Sequence, residues 1–151
     1  MKRTFTLVLI GSALVATTVA EATDVSDAIK SRRNNYKEIG GAFKTIGDEI
    51  KTSAPLFDVI KPAAAEILRR GSMQMDFFPV GSGPESQQKT KSLALIWAEQ
   101  DNFHQLNENF IDSAQQLKSA IDSGDVGAIA AAHKTLGKAC KSCHDRYREP
   151  D

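Results

Sequence analysis

Four stretches of apolar residues recur at spacings of three and four, with no sustained apolar–polar alternation anywhere, and this restricts the chain to helices. In the first stretch Val25, Ala28, Ile29, Tyr36, Ile39, Phe43, Ile46 and Ile50 share one face, and Thr23 or Asp24 is placed to cap it. Gly40-Gly41 is its weak point, where small residues would let another backbone approach. The second stretch opens at Ser53 and Pro55, carries Leu56, Val59, Ile60, Ala63, Ile67 and Leu68, and is expected to stop at Gly71. From Gly71 to about Gln88 the chain reads as an irregular crossover loop. Its adjacent Phe77 and Phe78 imply that it packs down against the bundle. A third helix is predicted over 93–123, with Ile96, Trp97, Phe103, Leu106, Phe110, Ala114, Leu117 and Ile121 inward, broken by Ser123-Gly124-Asp125. The fourth carries Val126, Ile129, Ala130, His133, Leu136, Cys140, Cys143 and Tyr147. The prediction is an all-α protein, one antiparallel four-helix bundle.

Composition narrows the function. A length of 151 residues suits one domain, and 19 basic residues against 19 acidic leave no basic field for nucleic acid. No GxxxxGK[ST] occurs, which excludes a P-loop enzyme. Two cysteines are too few for a disulfide scaffold or a four-thiolate metal site.

The N-terminus has the layout of a leader. Met1-Lys2-Arg3 is a positive start, and Thr4 to Ala20 is uncharged, with Leu7-Val8-Leu9-Ile10 at its core and small residues at its end. This predicts a signal peptide over residues 1–20, cleaved after Ala20 or Ala22, and a domain over residues 23–151. A membrane anchor is the alternative. The run is interrupted by Gly11, Ser12, Thr17 and Thr18 and falls short of the roughly 20 apolar residues of a span. The mature form is therefore expected to lack a membrane span and to reside in a bacterial periplasm.

Cys140-Lys141-Ser142-Cys143-His144 is a C-x-x-C-H sequence, the attachment pattern of c-type haem. Residues three apart lie on one side of a helix, so both thiols can reach the two vinyl groups of one porphyrin. His144 is then placed as the iron ligand. A thioredoxin-like dithiol would need its motif at a helix start after a strand, and here it lies deep in a helix. A zinc site would need further ligands, and His133 stands about 10 Å along the axis from Cys140. A Cys140–Cys143 disulfide would close too short a loop to stabilise much.

A leader, a four-helix bundle and a C-x-x-C-H close to the C-terminus resemble the cytochrome c′ (cytochrome c-prime) family, over about Val25 to Arg148. Arg32 with Tyr36 one turn later resembles the family's haem-edge arginine and distal residue. Ile96-Trp97, the Ser123-Gly124-Asp125 turn and the ending from Cys140 to Arg148 look similar as well. The resemblance implies one haem c held by Cys140 and Cys143, ligated by His144, with Arg32 near a propionate and Arg148 beside the proximal histidine. Low-spin relatives resembling cytochromes c-554 and c-556 carry a ligating methionine in the first helix, where this chain has Tyr36. Met73 and Met75 stand elsewhere and are expected to be gap-fillers in the loop.

The resemblance thus implies a five-coordinate high-spin iron that binds nitric oxide or carbon monoxide and can cycle between Fe(III) and Fe(II). The alternative is a six-coordinate low-spin electron carrier of the c-554/c-556 type. A haem peroxidase would need a distal His–Arg pair, and neither His104 nor His133 is placed near Tyr36, so no enzyme is expected. His133 is expected to pack in the bundle, and His104 to face solvent or a partner subunit. Members of the family usually form homodimers through their first two helices, and the redox partner is unknown.

Overall fold

The computed structural model describes residues 17–150. The expected leader lies outside them except for its last four residues, which continue the first helix. Five α-helices follow: α1 (Thr17–Glu49), α2 (Phe57–Met73), α3 (Leu95–Ala98), α4 (Gln100–Ser123) and α5 (Val126–Tyr147). Two short 3-10 turns, Gln74–Phe77 and Pro84–Ser86, lie in the crossover between α2 and α3. Among the described residues there is no strand, only one antiparallel bridge between Ser92 and Arg148. The four long helices form the bundle, α1 against α2, α2 against α4 and α4 against α5.

The inward stripes do the packing. Ile39 and Ile46 of α1, Ile60 and Ile67 of α2, Leu117 and Ile121 of α4, and Ile129 and Leu136 of α5 form one buried core. A smaller cluster of Ile96, Phe103 and Tyr147, joined by Met75, Phe78, Trp97 and Cys143, closes the bundle end that carries the C-x-x-C-H sequence. At the other end Gly124 turns left-handed (φ 76°) to cap α4, and the Asp125 carboxylate accepts the Ala128 N–H at 3.0 Å to start α5.

Several local expectations are corrected. α2 begins at Phe57, two residues past Pro55, and the Leu56 N–H is taken by the Glu49 carboxylate at 3.0 Å. Gly71 does not end α2. It is buried inside the helix, because a Cβ there would run into the Phe110 ring of α4. Nothing approaches Gly40 or Gly41; the close contact on α1 is at Gly47, where a Cβ would stand 2.9 Å from the His133 ring. The predicted third helix breaks at Glu99 (φ −125°, ψ 48°). Its carboxylate accepts two hydrogen bonds from Arg146, both at 2.7 Å, and one from the Tyr147 hydroxyl at 3.0 Å. That tie to α5 is what separates α3 from α4. Met73 ends α2 and Met75 lies in a 3-10 turn, so the loop is more ordered than its composition suggests.

The segment before α3 is a strap. Leu93 N–H donates to the Tyr147 carbonyl at 3.0 Å, and Glu149 N–H to the Lys91 carbonyl at 2.8 Å. These bonds hold the end of α5 in place and so position Cys143 and His144.

Candidate functional site

Cys140 and Cys143 sit three apart on α5, half-buried, and both are free thiols. Cys140 packs against the main core and Cys143 against the smaller cluster, so the pair straddles the boundary between them. Burial pushes each thiol up to about 11. A dithiol–disulfide exchanger needs a lowered thiol pKa, so the environment argues against that chemistry. No group of three or more His, Cys, Asp or Glu side chains suited to a metal ion exists among the described residues, so the zinc alternative finds no ligand set.

Two cavities meet at these residues. The larger, about 450 Å³, has a floor of Tyr36, Phe78, Ile96, Phe103 and Tyr147. The smaller, about 260 Å³, runs inward along Ile39, Phe43, Leu106 and Phe110. Tyr36, Phe103, Cys143 and His144 belong to the walls of both, and Cys140 lines the inner one. Cavities of this size and apolar character are those that enclose an organic cofactor. Both thiols, one imidazole, flat apolar walls and a cationic mouth containing Arg32 and Arg148 together fit a covalently attached haem, with His144 able to hold the iron.

Tyr36 lies on α1 in both walls. Burial, and secondarily the neighbouring Cys143, raise its hydroxyl above the ordinary tyrosine value, which keeps the phenol protonated. Its ring meets Phe78 edge-on at 6.4 Å. Phe78 in turn packs against Phe103 at 4.9 Å and Trp97 at 6.2 Å, so one aromatic chain joins α1, the crossover and α4.

Arg32 is buried (3% exposed) and lines the larger cavity. Its charge already has partners within the fold. Its Nη1 donates to the Phe77 carbonyl (3.2 Å) and Ser82 Oγ (3.1 Å), and its Nη2 to the Ser82 carbonyl and Thr90 Oγ1, both 2.8 Å. The guanidinium also lies over the Phe78 ring, 4.7 Å from its centroid. The crossover therefore satisfies this buried charge and is pinned by it. Trp97 adds a second pin, its Nε1 donating to the Phe78 and Pro79 carbonyls at 3.2 and 3.1 Å.

Met73 and Met75 both lie off the two cavities. Met73 is 40% exposed and takes a contact from Arg69 at 3.6 Å, while Met75 fills the small aromatic cluster. His133 stacks on Phe43 at 3.8 Å and its Nε2 stands 3.0 Å from the Phe43 carbonyl, and His104 is exposed on α4. Neither lines a cavity. Three features escaped the sequence reasoning: Ser82 and Thr90 as partners of Arg32, the buried Gln74 side chain donating to Asn107, and the cations Arg33, Lys37, Lys89 and Lys91 around the mouth. Of these only the i, i+4 pair Arg33 and Lys37 had a readable signal, beside Arg32 and Tyr36.

Comparison with known proteins agrees with this geometry. A family model described as "Cytochrome C'" matches residues 27–148. Cytochrome c′ of Rhodospirillum rubrum is 29% identical over 137 residues, 91% of this chain and 92% of the relative. The structure of cytochrome c prime from Shewanella frigidimarina superposes with a TM-score of 0.76 at 29% identity, over 83% of this chain and 97% of that one. A nitric oxide complex of a mutant cytochrome c prime from Alcaligenes xylosoxidans superposes with a TM-score of 0.74 at 26% identity, over 83% and 97%. With four helices around two thiols and an imidazole at one bundle end, and a family match from one end of the bundle to the other, the chain belongs to the cytochrome c′ family, the haem-binding c-type cytochromes.

Proposed function

We propose that this chain is a periplasmic cytochrome with a five-coordinate high-spin haem that binds nitric oxide or carbon monoxide and also passes single electrons. The observation that carries the reading is the identity of the α1 wall residue: Tyr36 stands there, and Met73 and Met75 line neither cavity. Bound haem supplies an Fe(III)/Fe(II) couple and an iron position for a small ligand. Cys140 and Cys143 would anchor it and His144 would ligate its iron. Tyr36, Phe103 and Phe110 line the inner cavity with apolar surface suited to a small neutral molecule. Gln74 and Asn107, polar side chains of the inner cavity, bond to each other, so they offer little to polar bound dioxygen.

The nitric oxide complex of the Alcaligenes protein supports extending gas binding to this chain. The leader-like N-terminus supports export, and no helix among the described residues is long and apolar enough to cross a membrane. Family membership supports a homodimer through α1 and α2, which light scattering tests. The positions of His104 and His133, away from both cavities, support a carrier rather than a peroxide-activating enzyme. Titration of reduced holo-protein with nitric oxide, followed by absorption, tests the proposal. Saturation near one equivalent per haem supports it, and no spectral change refutes it.

A further inference from the structure

The chain as a whole is electrically balanced, with 19 basic and 19 acidic residues. The mouth of the larger cavity is not. Arg32, Arg33, Lys37, Lys89, Lys91 and Arg148 line it, and among the described residues no carboxylate does. These cations come from three separate places, α1, the strap before α3 and the residue after α5, so folding gathers them rather than one charged run. Arg32 is buried and committed to the crossover, with Glu85 close enough to act on it. Lys91 and Arg148 have interactions of their own. Arg33, Lys37 and Lys89 are exposed and form the outward part of the rim. Even both propionates of a haem at this mouth would leave the rim positive.

We propose that this rim docks the acidic face of a protein electron-exchange partner over the cavity mouth. The inference rests on the electron-passing part of the proposed function and adds the chemistry of the partner. A partner must approach where the cofactor is accessible, and the wall that opens there carries one sign of charge. Such a field raises encounter rates by about 10- to 1000-fold and is screened by salt.

The test uses holo-protein with poly-L-glutamate as the acidic surface. Carbodiimide cross-linking followed by peptide mass mapping is expected to place the cross-links on Lys37 and Lys89, and about 0.5 M salt to suppress them. Calorimetry is expected to show polyglutamate binding weakened about tenfold or more by combined Lys37→Glu and Lys89→Glu. Lys61→Glu, an exposed change on α2, leaves it unaltered. Cross-links scattered over all lysines, or binding indifferent to the double reversal, would overturn the proposal. So would binding to phosphatidylglycerol vesicles without binding to polyglutamate, which would make the rim a membrane-facing surface. Should the double variant misfold, the cross-link map of the unmodified protein decides. Polyglutamate binding does not depend on iron coordination, so a closed iron would defeat the gas-binding proposal and leave this result standing.

Discussion

Tyr36 on α1 and His144 on α5 are walls of the same two cavities, although 108 positions separate them in the chain. One is the residue proposed to ligate the iron; the other is a bulky, protonated phenol that crowds the space they share. Replacing Tyr36 with Ala should therefore raise carbon monoxide affinity by about tenfold, some 1.4 kcal/mol of relieved crowding. Tyr36→Met should do the opposite, lowering affinity by offering the iron a sulfur ligand. Flash photolysis measures both; an unchanged affinity in Tyr36→Ala would show that crowding does not limit binding.

Covalent attachment is tested by the thiols. Cys140→Ala or Cys143→Ala should leave one thioether each, and haem should survive denaturing electrophoresis in reduced amount. The double substitution should lose all haem staining on the gel. Retention of stain in the double variant would mean that another group holds the cofactor.

The glycines of α1 and α2 should respond in opposite directions. Gly71→Ala puts a methyl group into the Phe110 ring and should destabilise by about 1–3 kcal/mol. Gly41→Ala meets nothing within 4 Å on an exposed helix face and should stabilise by about 0.5–1 kcal/mol. Thermal unfolding of the two holo-proteins gives the comparison.

Asp48, Glu66 and Glu99 are all held below the usual carboxylate range by basic neighbours, and Glu66 is shifted far enough to test acid sensitivity. Hydrogen bonds from Arg69 and then Arg70 lower Glu66 from 4.5 to about 2. A depressed carboxylate contributes stability above its unfolded value, and the contribution is lost as pH falls from about 4.5 towards 2. Solvent screens this partly exposed group, so the effect is small. Glu66→Gln should flatten the stability profile over that window and leave its slope at neutral pH unchanged. An identical acid limb in the variant would exclude the contribution.

The helical stripes were legible because burial of Ile46, Ile67, Leu117 and Leu136 writes a 3.6-residue period into the chain. Local signals failed where tertiary contacts overruled them. Gly71 carries the usual mark of a helix end, yet it is glycine because Phe110 crosses there. Glu99 is a good helix former, and the break occurs because Arg146 and Tyr147 draw its carboxylate to α5. The C-x-x-C-H sequence pointed to three candidate site residues without any fold, since the attachment chemistry itself sets the spacing. The partners of Arg32 were invisible, because Ser82 and Thr90 lie 50 and 58 positions away. Charges around the mouth come together only in the folded chain.

The most direct test of an open iron opposite His144 is the absorption spectrum of holo-protein, ferric and ferrous, before and after carbon monoxide. The account predicts high-spin bands in both oxidation states and a large shift of the ferrous spectrum on adding the gas. A low-spin six-coordinate spectrum that carbon monoxide leaves unchanged would contradict it, and would mean that a side chain of this protein closes the iron.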